Sequence, residues 1–190
     1  MSDGLRVAIG VGLQRWDGWV PTDRDDLDLT SRRSFDIWFG GRRAQAIVCE
    51  HLWEHLDQDE GRLAARLCFD FMQDGARLRV AVPDGLFPDG EYQRTVQVGG
   101  PGPADHPAAD HKVVYDYRTF VPVFESAGFS VRLLEWWDEH GRFHHGDWDL
   151  SDGPIGRATK LDTRNQAWRN GEGPPGFTSL LLDAIKLPGS

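Results

Sequence analysis

AQAIVCEHLWEHL, residues 44–56, opens as a buried strand and closes on titratable groups. Ala46-Ile47-Val48-Cys49 is an apolar run with no polar alternation, the pattern of a strand covered on both faces. Glu50-His51 follows at once, and Glu54-His55 repeats the pair four residues on. In an open α/β sheet the carboxyl ends of the strands face the ligand crevice. The end of this strand is therefore where the chemistry is expected.

Working outward, strands alternate with helices. Upstream, Leu5 to Ile9 is a strand running into Gly10-Val11-Gly12, and Gly18 to Thr22 is a second, ending at Asp23. The alternation from Asp26 to Leu29 allows a very short third strand ending at Asp28; its other reading is a solvated acidic loop. Residues 30–43 read as a loop with one helical turn. Downstream, Asp57-Gln58-Asp59-Glu60 has the form of a capping box. Leu63, Ala64, Leu67, Cys68, Phe71 and Met72 recur at helical spacing, and Asp74-Gly75 is expected to end that helix. Arg77 to Val82 is the next strand, Tyr117 to Ala127 a helix closed by Gly128, Phe129 to Trp137 a strand, and Phe177 to Lys186 the last strand. Residues 83–115 and 142–176 are long and lack a period, and loops of that length in a compact domain are usually functional. This order predicts a Rossmann-like open sheet, mainly parallel with an antiparallel final strand, in a three-layer α/β/α sandwich. Residues 1–190 are expected to form one domain.

Composition narrows the function. With 190 residues, 39% hydrophobic and 27% charged, the chain suits a soluble globular domain. A formal net charge of −9 argues against a nucleic-acid partner, and Arg32, Arg33, Arg42 and Arg43 read as a solvated loop. Cys49 and Cys68 sit in apolar runs as small core hydrophobes, which points to a reducing compartment. No apolar stretch has membrane-spanning length, and MSDGLRVAIG lacks the features of a signal peptide. A cytoplasmic protein without a membrane partner is expected.

Ala8-Ile9-Gly10-Val11-Gly12, Gly18-Trp19-Val20 leading to Asp23, Asp28-Leu29, Cys49 to Leu56, and Gly75 to Asp84 together resemble class I S-adenosylmethionine-dependent methyltransferases of a compact kind. Asp110-His111-Lys112-Val113, Glu125 to Phe129 and Phe177 to Leu180 extend the resemblance over nearly the whole chain. It implies S-adenosylmethionine as cofactor. Gly10 and Gly12 would lie against its amino acid part, where a glycine turn admits close approach. Asp23, or Asp25 in a shifted register, would accept from the ribose hydroxyls. Asp28 and Leu29 would border the adenine, and Glu50 and His51 would face the methionine side or the substrate. Between Gly12 and Gly18 there is no room for a crossover helix, and Gln14 stands where a third glycine is usual, so the first crossover must be a short loop or single turn.

The seven histidines fall into three groups. On a helix His51 and His55 would share one face at metal-ligand spacing, with His111 or His145 as a third ligand. The resemblance needs no metal and no cysteine cluster supports one, so none is expected. His55 reads as a packing group near the Asp57-capped helix. A hydroxyl or amine acceptor needs a general base, and His111 is the first candidate, oriented by Asp110; the pair also fits a helix-capping cluster. His51 is the second. Tyr115, Tyr117, Trp136, Trp137, Phe143 and Trp148 are candidates for the wall of an acceptor pocket, although most of them fit better as core or loop packing. Residues 83–115 and 142–176 would form its lids, suited to a small polar or sugar-like acceptor. Two alternatives stand beside methyl transfer: a degenerate methyltransferase-like subunit that binds a partner, and a histidine-based metal-dependent hydrolase or lyase. A homodimer or a partner protein is left open.

Overall fold

The computed structural model describes residues 4–10 and 15–189, so Gly12 and Gln14 lie outside the described residues. Among these residues seven strands form one sheet in the order β2-β1-β3-β4-β7-β5-β6. They are β1 (Leu5–Ile9), β2 (Val20–Thr22), β3 (Ala44–Glu50), β4 (Met72–Pro83), β5 (Ser130–Trp137), β6 (Phe143–His145) and β7 (Ser179–Ile185). β2, β1, β3 and β4 pair in parallel. β7 pairs antiparallel with both β4 and β5, so β5 points the same way as β4. Five of the seven strands thus share one direction, as the sequence predicts.

Alternate residues divide the sheet's two faces. Val7, Ile9, Ile47, Cys49, Leu78, Val80, Leu180 and Leu182 join the main core. That face is covered by α1 (Arg32–Phe39), α2 (Gln58–Asp70) and α4 (Tyr117–Glu125) through Phe35, Phe39, Ala64, Cys68, Phe120 and Phe124. Among the described residues the other face meets no long helix. Trp148, Ile155 and Ala158 pack there on Ala81, Leu134 and Leu181, while Trp19 packs on Ala8 and Val48. The third layer is thus largely residues 146–176, which hold two short 3-10 turns and α5 (Gln166–Arg169).

Several elements differ from the sequence reading. Asp26 to Leu29 form no strand; the backbone N–H groups of Asp26 and Leu27 turn back to the Asp23 carbonyl. Residues 30–43 contain a true helix, α1, capped by Ser31 and closed by left-handed Gly40. The helix after Asp57 ends at Asp70 rather than at Gly75, because Met72 already pairs with Ala44 as a strand. Asp74-Gly75 instead lies where the β3–β4 register shifts, with Gly75 at φ +78°. Residues 83–115 hold α3 (Gly90–Val96), and Phe143–His145 is a hairpin strand against β5.

Candidate active site

The strand ends gather two adjoining cavities. Gly10, Asp23, Asp28 and Leu29 line the first, of about 380 Å³, over an apolar floor that includes Ile9, Leu27 and Leu52. Asp25 does not line it. Gly10 sits at φ +68°, and a Cβ there would stand 2.3 Å from the Leu52 side chain, so the turn after β1 admits no larger residue without displacing Leu52. Asp28 accepts from the backbone N–H and hydroxyl of Thr30 at 2.9 and 2.8 Å. The Thr30 N–H bond leads in holding its carboxyl below the usual carboxylate range.

The second cavity, of about 600 Å³, is lined by His51, Glu54, His55 and His111, with Phe87, Tyr92 and Phe177 as its aromatic wall. His55 lines both cavities. The six aromatic residues named from sequence do not line it and take the alternative of packing: Trp148 and Tyr115 are core, Trp137 donates to Thr178, and Trp136 stacks on His144. Both long segments nevertheless contribute, through Phe87 to His111 and through Arg157 to Phe177.

The turn after β3 sets these groups. His51 has φ +54°, unusual for a residue with a side chain, and its N–H donates to the Ala81 carbonyl at 2.8 Å. The chain then closes a 3-10 turn, Trp53–His55, anchored by fully buried Trp53, whose Nε1–H donates to the Gly61 carbonyl. The N–H groups of Lys112 and Val113 donate to the Glu54 carbonyl, fixing this turn against the segment that carries His111.

Hydrogen bonds assign the tautomers. The Ser179 hydroxyl donates to the Arg157 carbonyl, so the His51 Nε2–H donates to Ser179 Oγ at 2.9 Å. His51 Nδ1, left without a proton, stands 3.3 Å from Glu54 Oε1. His111 Nδ1–H donates to the Val96 carbonyl at 2.9 Å, and His55 Nδ1–H to the Asp110 carboxylate at 2.8 Å. Asp110 therefore orients His55, not His111 as the sequence suggested; His55 is an oriented group rather than mere packing. Burial holds His51 far below the ordinary imidazole range and lowers His111 as well. Burial pushes the Glu54 carboxyl up to about 8.

Glu50 lines neither cavity. Its carboxylate accepts from the N–H groups of Gly156 and Arg157 at 2.7 and 2.9 Å, clipping the third layer to the end of β3. Burial raises its pKa against those bonds. His145 stacks on Phe143, edge-on to Trp168, and is absent from both cavities. From sequence, Glu54 reads with Glu50 as an orienting or binding group, but its burial and its contact with His51 do not show there. Its place one turn beyond the strand end was the available signal.

No family model and no curated protein matches the chain. Solved structures do match in fold. A SAM-dependent methyltransferase from Methanosarcina mazei aligns at a TM-score of 0.51 and 11% identity, over 98% of this chain and 94% of that one. A possible histamine N-methyltransferase from Thermotoga maritima aligns at 0.50 and 10%, over 98% and 84%. An O-methyltransferase family protein from Burkholderia thailandensis aligns at 0.50 and 12%, covering 90% of this chain, which spans only 37% of that protein. The chain has the class I S-adenosylmethionine-dependent methyltransferase fold, and at these identities the likeness is one of fold. Among the described residues no helix is long and apolar enough to cross a membrane.

Proposed function

We propose that the chain is an S-adenosylmethionine-dependent methyltransferase, with the cofactor in the first cavity and a small polar acceptor in the second. The observation that carries this reading is the wall the cavities share at the end of β3, where His55 faces both. A donor in one cavity and an acceptor in the other would meet there, and methyl transfer asks chiefly for such alignment in a dry site.

The donor set fits the cofactor. Asp23 offers a carboxylate to ribose hydroxyls, Asp28 and Leu29 border the adenine, and the apolar floor takes the base. When bound, the cofactor supplies a methyl group on a sulfonium, a good leaving group. The protein's share is to hold the acceptor, exclude water and accept its proton. His51 and His111 both face the second cavity as neutral imidazoles, and His111 keeps an unshared pair on Nε2. Mixed aromatic and polar walls suit a small polar acceptor, sugars included.

Calorimetry with S-adenosylhomocysteine tests the reading. One equivalent should bind and raise the melting temperature; ligand at 100 times its Kd adds about 2.7 kcal/mol of stability. Asp23→Ala should weaken binding at least tenfold. No heat and no melting shift at millimolar ligand would defeat the proposal.

A further inference from the structure

The geometry points to a site for one divalent transition-metal cation, held by Glu54, His55 and His111. One ligand atom from each lies within 4.8 Å of the other two, and all three side chains line the second cavity. Metal-binding histidines usually donate a hydrogen bond from one ring nitrogen and ligate with the other, and both imidazoles have that first bond. His55 Nδ1–H goes to the Asp110 carboxylate and His111 Nδ1–H to the Val96 carbonyl. Each Nε2 therefore keeps its unshared pair.

Glu54 supplies the independent observation. It is 2% exposed, and neither carboxyl oxygen has a hydrogen-bond partner. The nearby N–H groups of Lys112 and Val113 go to its backbone carbonyl instead, and His51 turns an unprotonated Nδ1 towards it. The ionised form of a buried carboxyl that accepts no hydrogen bond is costly, and a cation would offset that cost by taking the place of the carboxyl proton.

Two imidazoles and one carboxylate suit zinc, cobalt, manganese or ferrous iron better than calcium or magnesium, which take oxygen ligands. At bond lengths of about 2.0–2.2 Å the ligand atoms would stand roughly 3–3.6 Å apart, so small rotations of the rings and carboxyl must close the cluster by about an ångström. Three protein ligands leave a coordination position open to the second cavity. A hydroxyl oxygen of the acceptor fits that position, where the cation would lower its pKa; His111 then serves as a ligand, and the released proton goes to the unprotonated Nδ1 of His51, which lines the same cavity. This last assignment, unlike the cation site itself, rests on the methyltransferase reading.

Untagged protein, stripped with a chelator and titrated with Co2+, should develop visible d–d absorption that saturates at one equivalent. Glu54→Gln and His111→Ala should abolish the saturable band. Asp110→Asn, which replaces the carboxylate that orients His55 and removes no proposed ligand, should weaken cobalt about 10–100-fold. His140→Ala, on an exposed turn, should leave it unchanged. Melting curves check folding; should the buried variants fail to fold, Asp110→Asn and His55→Ala carry the test. The site is overturned if wild type shows no saturable band, or if these two variants bind cobalt as wild type does. S-adenosylhomocysteine calorimetry on the same samples separates the two proposals. Cobalt without nucleoside binding overturns the methyltransferase reading alone; nucleoside without cobalt overturns the cation site alone.

Discussion

Asp84 is fully buried just past β4, where its carboxylate accepts from the N–H groups of Leu86 and Trp137 at 2.9 and 2.8 Å. Burial outweighs both bonds and pushes its pKa up to about 6, with the charge of Asp116 adding to the rise. The folded state thus keeps a proton that the unfolded chain releases near 3.8. Stability from this group is fully present below pH 4 and is lost as pH rises through about 6. Moving that proton's release from 3.8 to about 6 corresponds to roughly 3 kcal/mol as an upper bound. Asp84→Asn, neutral throughout, should remove that loss. Urea midpoints of both proteins should therefore diverge in pH dependence between pH 4 and 6; parallel profiles would refute the assignment. Sequence placed Asp84 after a strand but not its burial, which depends on Trp137, 53 residues away. The same limit applied to the site. That His51 lies at a strand end was legible from its apolar run, but the exchange of Asp110 from His111 to His55 depends on a fold-back over 55 residues.

At the scale of elements, α2 shows which signals are local enough to read. Asp57 accepts from the N–H groups of Asp59 and Glu60 at 3.0 and 2.9 Å, and Glu60 returns to the Asp57 N–H at 2.8 Å. This capping box is complete within four residues, so the sequence sufficed. Asp57→Ala should cost about 1 kcal/mol, with a range of about 0.5–2, read as a lowered urea midpoint with unchanged m-value. An unchanged midpoint would show that packing alone sets the start of α2. Glu60 also accepts from Lys112 at 2.7 Å, tying the cap to a residue that lines the first cavity. Elements without such local signals were missed. α1 is only 8 residues long and buries just Phe35 and Phe39, too little for a helical period to stand out. β6 is 3 residues whose pairing comes from β5. α2 ends early because Met72 is drawn into pairing with Ala44, a tertiary demand that overrides the Asp74-Gly75 stop signal.

Over the whole molecule, the sheet's second face explains why buried strands carry charges. A helix satisfies its own backbone, but an irregular layer must find partners elsewhere. The sheet supplies them. Glu50 accepts from the N–H groups of Gly156 and Arg157, and Glu135 from the Thr159 N–H and the Trp148 indole. Arg79, fully buried, donates to the carbonyls of Asp149 and Gly153 at 2.7 and 2.6 Å and lies under the Trp148 ring. Asp183, also fully buried, balances its charge with a two-pronged pair at 2.8 and 3.0 Å. Arg79→Met would leave Asp183 buried with only its contacts to Arg77 and Arg132, both at 3.2 Å, and would orphan two carbonyls. A cost of about 3–5 kcal/mol follows for a broken buried pair. Adding Asp183→Leu removes the stranded charge but not the orphaned carbonyls, so the double variant should recover only part of the loss. Limited proteolysis of either variant should cut first within residues 146–176, while the strands stay intact. Full recovery in the double variant would mean that Arg79 serves the ion pair alone, and first cleavage elsewhere would mean that the third layer holds to the sheet by its apolar contacts without this anchor.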